Sequence, residues 1–470
     1  MSEKQWTRRA FLAATTTTAA LIAGGCATKP STARVVPRKI SPNETVIVGL
    51  IGLGGRCRDI GATSLKIPTM RIVALCDCFQ PRIHSYIDKL GKDQNWKGYA
   101  DFREMIEKEK LDGVMVETTT HARAWVTCWA MDAGVDVYIE KPMCLTIEEG
   151  RQMVNVARRN KSVTQVGTQQ RSIALNNWAS DLVKNGAIGK VHTVLAPDFV
   201  SPLHWEPKEG QDMPDGGSPN WWDIWTNQSE LRPYHHDLQY GWAQWWDYDG
   251  GGISYGVTGW GTHSYDQIQR GLGTDETGPV EVELEEPVTT KRVGEFKERT
   301  ISEDETGQAY YDMVRNTSGP RAKVRMKYKN GTELKLHLDA DCSPGLGCIF
   351  IGEKGKIEIN RDRVSSDPKE LLQGPDRPGN LTVPETQPHI ENWIECIKTR
   401  KRCTADIEYG QRSSSICYLV NIARDVGQAG KTLKWDPDKE RFTNCDEANK
   451  FLARPRREGW ELPDYAKKKA

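Results

Sequence analysis

The chain has 470 residues, and its 64 Lys plus Arg are balanced by 64 Asp plus Glu. No net field draws it to nucleic acid or an anionic membrane surface, so the expected partner is a small molecule. Twelve cysteines occur without a Cys-x-x-Cys pair or a Cys/His quartet at zinc spacing, which gives no support to a metal module.

Taken from the start, residues 1–26 read as an export signal. Thr7-Arg8-Arg9-Ala10-Phe11-Leu12 is a twin-arginine address, and the apolar run from Ala10 to Ile22 follows it. That run is shorter than the roughly 20 apolar residues that span a bilayer comfortably. Ala23-Gly24-Gly25-Cys26 reads as a lipoprotein box with Cys26 carrying the lipid; the alternative is an ordinary cleavage site with an incidental cysteine. Residues 27–44 are rich in Pro, Ser, Thr and Lys, as a tether is. The expected location is the periplasm or cell envelope, reached through the twin-arginine translocation machinery. The only expected membrane contact is through the signal or the lipid. Because that route carries folded proteins, a cofactor enzyme sent along it leaves with its cofactor aboard.

Residues 45–165 read as a dinucleotide domain. Val46 to Ile51 is an apolar strand, followed by Gly52, Gly54, Gly55 and Arg56. Glycine allows the tight bend and the close approach of backbone to a pyrophosphate, and the next helix points its N–H groups at the phosphates. Cys57 stands where the pattern has its third glycine. The strand from Arg71 ends at Asp77, whose carboxylate suits ribose hydroxyls and repels a 2′-phosphate, favouring NAD over NADP. Asp77 also fits a helix N-cap, and the two roles can coexist. Phe102 to Glu109 reads as a helix, Leu111 to Val116 as a strand, Ala124 to Ala133 as a helix closed by Gly134, and Val135 to Ile139 as a strand. This alternation predicts an α/β fold with a doubly wound parallel sheet. Functional residues then belong at strand carboxyl ends, which brings Thr118, Thr119, Thr120 and His121 to the cleft with Lys141 beside them; Glu140 is expected to bind the cofactor there too.

Residues 166–440 read as a second, substrate domain and 441–470 as a tail. The segment 201–249 is long for a connection, which marks it as functional or as an interface arm. Its tryptophans, Trp221, Trp222, Trp225, Trp242, Trp245 and Trp246, suggest a ligand cleft as well as core filling. His235 and His236 read as surface or ligand contacts rather than a metal site. Ala322 to Leu338 is a hairpin around Asn330-Gly331, and His389 to Thr399 and Ser413 to Gly427 read as helices.

At Glu140-Lys141-Pro142 the chain resembles the Gfo/Idh/MocA oxidoreductases, the glucose–fructose oxidoreductase and inositol dehydrogenase superfamily. The Gly52–Gly55 turn, Asp77, Val166-Gly167-Thr168-Gln169-Gln170-Arg171, Gly250-Gly251-Gly252 and Gly261-Thr262-His263-Ser264-Tyr265-Asp266 fit that family in order. The resemblance implies a C-terminal α+β domain with a mostly antiparallel open sheet, and a homo-oligomer. It implies hydride transfer at a sugar or polyol carbon, with Gln169 near the cofactor, Lys141 beside the reacting hydroxyl and His263 as proton acceptor. Many relatives carry Asp four residues before that histidine; here the place is Gly259, which leaves Asp266 or Tyr255 as candidates for the proton path. Two further readings are an NAD-dependent glycosidase working by transient oxidation and elimination, and a non-catalytic carbohydrate-binding lipoprotein.

Overall fold

In the computed structural model, residues 40–292, 318–338, 346–361 and 363–463 are described. The export signal, Cys26 and the end of the tail lie outside them. Six strands form the first sheet: β1 (Val46–Ile51), β2 (Met70–Cys76), β3 (Lys97–Tyr99), β4 (Gly113–Val116), β5 (Asp136–Ile139) and β6 (Thr164–Val166). Their order is β3-β2-β1-β4-β5-β6, all parallel. The order reverses between β1 and β4, and that crevice is where doubly wound sheets bind ligands. β4 and β5 are buried on both faces, which is why they are apolar runs rather than alternating strands.

The helices between the strands follow their end signals. Asp101 caps Phe102–Lys108 by accepting from Arg103 N, and Gly134 closes Thr120–Ala133 with a left-handed φ of 96°. That second helix starts four residues earlier than its apolar pattern suggests, because its polar first turn finds buried partners, Thr120 on Asp249 and His121 on Trp225 O. Thr146 caps Ile147–Asn160, and Glu149 returns its carboxylate to Leu145 N at 2.8 Å.

The second sheet has nine strands: β7 (Val191–Pro197), β8 (Glu281–Leu284), β11 (Val324–Lys327), β12 (Glu333–Leu338), β13 (Cys348–Gly352), β14 (Gly355–Asn360), β15 (Arg363–Asp367), β16 (Thr432–Asp436) and β17 (Arg441–Phe442). A separate pair is made by β9 (Thr289–Arg292) and β10 (Ser318–Arg321). The nine run in the order β15-β14-β13-β7-β12-β11-β8-β16-β17, antiparallel except for β7 with β12. The β11–β12 hairpin turns at Gly331, whose φ is 91°.

Two helices tie the sheets together. Thr386–Thr399 returns to the first sheet, where Ile390, Trp393 and Ile394 share a core with Val46, Val48 and Leu50. Ile407–Val426, capped by Asp406, packs against both Ile147–Asn160 and Trp260–Leu272. Arg151 adds a two-carboxylate clamp, with Glu408 at 2.7 Å and Glu440 at 2.8 Å.

Candidate active site

The crevice between β1 and β4 opens into a cavity of about 340 Å³. Gly52, Gly54, Gly55, Arg56, Asp77, Thr118 and Thr119 all line it. Gly52 has a φ of 88°, and a Cβ there would sit 2.7 Å from the Thr118 backbone. Only glycine brings the chain that close. A Cβ on Gly54 would meet nothing within 4 Å, so that position fronts open space at the start of the Gly55–Ser64 helix. Asp77 accepts from Leu53 N at 2.8 Å and Phe79 N at 2.9 Å, with Arg82 3.9 Å away. It therefore ties the glycine turn to the end of β2 while still reaching the cavity, but it is not a helix N-cap: the next helix, Pro81–Leu90, has Gln80 at that position and no side-chain cap. Two further polar side chains on the wall are buried without a protein partner: Thr118 Oγ1 and both oxygens of Glu117. Burial, then the neighbouring Glu140 charge, pushes the Glu117 carboxyl well above the usual range. A turn that needs glycine, a helix start and orphaned polar atoms fit a bound dinucleotide. Glu117 was not singled out in the sequence because it reads there only as the end of an apolar strand.

The corner after β5 is a charge network. Glu140, 2% exposed, accepts from Arg56 Nε and Gln169 Nε2, both at 2.9 Å, and from Lys141 N at 2.9 Å. Burial opposes its charge, but Arg56, Lys141 and Arg123 hold its carboxyl below the ordinary value. Gln169 also donates to Tyr138 Oη at 2.9 Å, so it positions Glu140 and does not line the cavity. Lys141 is half-buried, and its ammonium donates to Gly259 O at 3.0 Å. Burial lowers its pKa to about 8, with Glu140 pulling the other way. Lys141 and His263 are not among the residues that wall the 340 Å³ space.

His263 sits in the first turn of Trp260–Leu272, 5% exposed, and its Nδ1 has no protein partner. Burial, and after it the Lys141 charge, holds its pKa well below the usual value, so the ring is neutral at pH 7. Asp266 does not orient it: its carboxylate takes Arg171 Nε at 2.8 Å and Ser413 Oγ at 2.7 Å. Although residues three apart share a helix face, Arg171 is the stronger partner for the carboxylate. Tyr255 is buried with a φ of 61°, its ring against Phe199 at 5.2 Å and Trp260 at 5.7 Å. Sequence reasoning missed Asp249, a buried carboxylate that accepts from Thr120 Oγ1 at 2.5 Å and from Thr258. Its charge raises the Lys141 pKa. Its position just before the glycine triplet was the available signal.

Other expected contacts lie elsewhere. His121 is fully buried and does not line the cavity; its Nε2 donates to Trp225 O at 2.8 Å. The tryptophan cluster is mainly a local core, in which Trp221, Trp222 and Trp225 pack with Phe79, Tyr234 and Tyr248. Of the six tryptophans expected there, only Trp225 and Trp242 reach the cavity. His235 accepts from Asp237 N and His236 stacks on Tyr240, and no metal cluster occurs among the described residues.

Residues 46–168 match the model of an oxidoreductase family with an NAD-binding Rossmann fold, and 181–312 and 312–462 match that family's C-terminal alpha/beta domain. A glycosyl hydrolase family 109 protein of Shewanella baltica is 27% identical over 229 residues, 45% of this chain and 47% of the relative. The alpha-N-acetylgalactosaminidase of Shewanella oneidensis is 26% identical over 203 residues, 40% of this chain and 42% of the relative. The myo-inositol 2-dehydrogenase of Thermotoga maritima is 31% identical over 150 residues, 31% of this chain and 43% of the relative. The chain therefore spans less than half the length of these curated relatives. The WlbA dehydrogenase of Bordetella pertussis, solved with NADH and UDP-GlcNAcA, superposes with a TM-score of 0.55 at 15% identity over 84% of this chain and 99% of that one. The aldose-aldose oxidoreductase of Caulobacter crescentus gives 0.53 at 18% identity over 83% of this chain and 100% of that one, a likeness of fold. With both of its domains matched by the family models, the chain belongs to the Gfo/Idh/MocA oxidoreductases.

Proposed function

We propose that this enzyme moves hydride between NAD, preferred over NADP, and a carbon of a sugar, polyol or glycoside. The observation that carries the reading is Lys141. A half-buried ammonium with its pKa lowered to about 8 stands just past β5; it donates to Gly259 O, its backbone N–H donates to Glu140, and its charge acts on a neutral His263. The Gly52–Gly55 turn, Asp77 and Thr118 would hold the dinucleotide, which supplies the hydride acceptor or donor when bound. Lys141 orients the substrate oxygen and stabilises alkoxide charge as it develops. The neutral imidazole of His263 accepts the hydroxyl proton during oxidation and returns it during reduction. Glu140 and Asp249 keep Lys141 charged against the cost of its burial.

Denaturing the purified protein and assaying for released nucleotide tests the reading. Nucleotide is expected, and its absorbance should change on adding a reactive sugar. No released nucleotide, together with no binding of added NAD, would sink it.

A second reading is an NAD-dependent glycosidase, in which the same lysine and histidine serve a transient oxidation, elimination and re-reduction. It is favoured by the Shewanella relatives named as a glycosyl hydrolase family 109 protein and an alpha-N-acetylgalactosaminidase. Aglycone release from a chromogenic glycoside without added oxidant supports it; a requirement for a second carbonyl substrate supports the oxidoreductase. Either chemistry is proposed to run after twin-arginine export, with Cys26 as a lipid anchor. A Cys26→Ala chain should then move from the membrane fraction to the periplasmic fluid.

A further inference from the structure

The dinucleotide cavity has a wall that the first sheet and its helices do not supply. Trp225 and Asn227 come from the Trp221–Thr226 helix and its exit, Gln239 and Trp242 from the turns that follow, and Trp460 from the C-terminal segment. In the chain these residues lie between β7 and β8 or beyond β17, outside the first domain.

Three polar atoms on this wall are buried without a protein partner: Trp225 Nε1, Asn227 Oδ1 and Gln239 Nε2. Their residues are 5%, 2% and 0% exposed. A buried donor or acceptor left unpaired costs about 1–3 kcal/mol, so three on one wall of one cavity point to a ligand. These residues are fixed in place by other bonds. Gln239 Oε1 accepts from Tyr234 Oη at 2.9 Å, which leaves the amide nitrogen as the free end. Asn227 is held through its backbone carbonyl, which accepts from Arg457 Nε at 2.9 Å. Two donors and one acceptor suit a ligand rich in phosphate and ribose oxygens that also carries hydroxyl or amine hydrogens.

The wall is anchored on both sides. His121, in the helix after β4, donates to Trp225 O, and its own N–H donates to Tyr248 O at 3.2 Å. From the tail, Arg457 reaches Asp223 Oδ1 at 2.6 Å, and Trp460 packs on Trp125 at 4.8 Å. Arg454 lies 3.6 Å over the Trp246 ring.

We propose that residues 221–242 and 454–460 form a fixed roof over the dinucleotide. Trp225 Nε1 and Gln239 Nε2 donate to its oxygens, and Asn227 Oδ1 accepts from one of its hydroxyl or amine groups. The roof keeps the nucleotide from exchanging between turnovers. This inference rests on the dinucleotide reading of the site.

The test is a chase. Full-length protein is loaded with labelled NAD, challenged with excess unlabelled NAD, and the retained label followed with time. Asn227→Gly removes the oxygen while tolerating the left-handed φ of 54°, Trp225→Phe removes the N–H while keeping an aromatic ring, and Trp460→Ala opens the tail side. Each variant should release label at least about tenfold faster than the parent, the kinetic equivalent of losing one good hydrogen bond. The melting temperature of each nucleotide-free variant is measured alongside; if Trp460→Ala fails to fold, Asn227→Gly decides. Equal release from parent and variants, all binding NAD, overturns the roof and leaves the cofactor reading standing. If neither parent nor variants bind nucleotide, both readings fall.

Discussion

Lys141 donates its ammonium to the carbonyl oxygen of Gly259, 3.0 Å away. The position at which many relatives place an aspartate thus still meets the lysine, through backbone in place of a side chain. A carbonyl holds the ammonium without sharing a titration with it. The lysine's protonation is left to burial and to the charges of Glu140, Arg56, Arg123 and Asp249.

That arrangement sets the pH profile. Lys141 acts as an ammonium with a pKa of about 8, so hydride transfer should fall as pH rises through about 8. His263 acts neutral and its pKa is held well below 6.5, so no acid limb should appear near 6.5. Single-turnover reduction of bound nucleotide across a pH series checks both limbs.

Lys141→Met removes the charge and keeps most of the length. Hydride transfer should drop by about 10²–10³-fold, the usual cost of losing one donor at a developing oxyanion. Nucleotide content should stay at the parental level, since Lys141 is not among the residues that line the cavity.

Asp266→Asn separates two roles. The Asp266 carboxylate pairs with Arg171 in a site where both side chains are almost fully buried. Breaking such a pair costs roughly 3 kcal/mol or more, visible as a lower urea midpoint. A proton-relay role would shift the pH profile instead, and we expect the profile unchanged.

Asp77→Asn should weaken NAD binding about tenfold or more and narrow the preference over NADP, because the repelling charge is gone and a charge-assisted bond is lost. Titration with both nucleotides measures the ratio. Leu53 N and Phe79 N bond separate oxygens of Asp77, and an amide keeps only one acceptor, so the variant should also lose one of the two bonds that fix the turn and melt at a lower temperature.

The first sheet was legible because its strands are continuous apolar runs and its turn requires glycine. Val46–Ile51 begins and ends where its residues predict. The site was half legible. Lys141 and Asp77 fall at strand ends, which the alternation locates by itself. His121 occupies such a place too, yet it turns away from the crevice to hold Trp225 O, a choice set by a segment about a hundred residues distant. Glu117 and Asp249 went unread for the same reason: a buried carboxylate declares itself only by what surrounds it. The tryptophans were misweighted, since aromatic crowding has one signature for a cleft and for a small local core, and here it is mostly the core.

The Ile407–Val426 helix has a consequence for how substrate preference can change. It donates from Gln411 to Ile147 O and from Tyr418 to Cys144 O, just past Lys141, and from Ser413 to Asp266, within a turn of His263. Lysine and histidine are thus gauged from one common spindle. Their spacing belongs to the chassis and is the same whatever substrate enters. New specificities in this scaffold must come from exchanging the loops at the rim, while the jaws keep their gap.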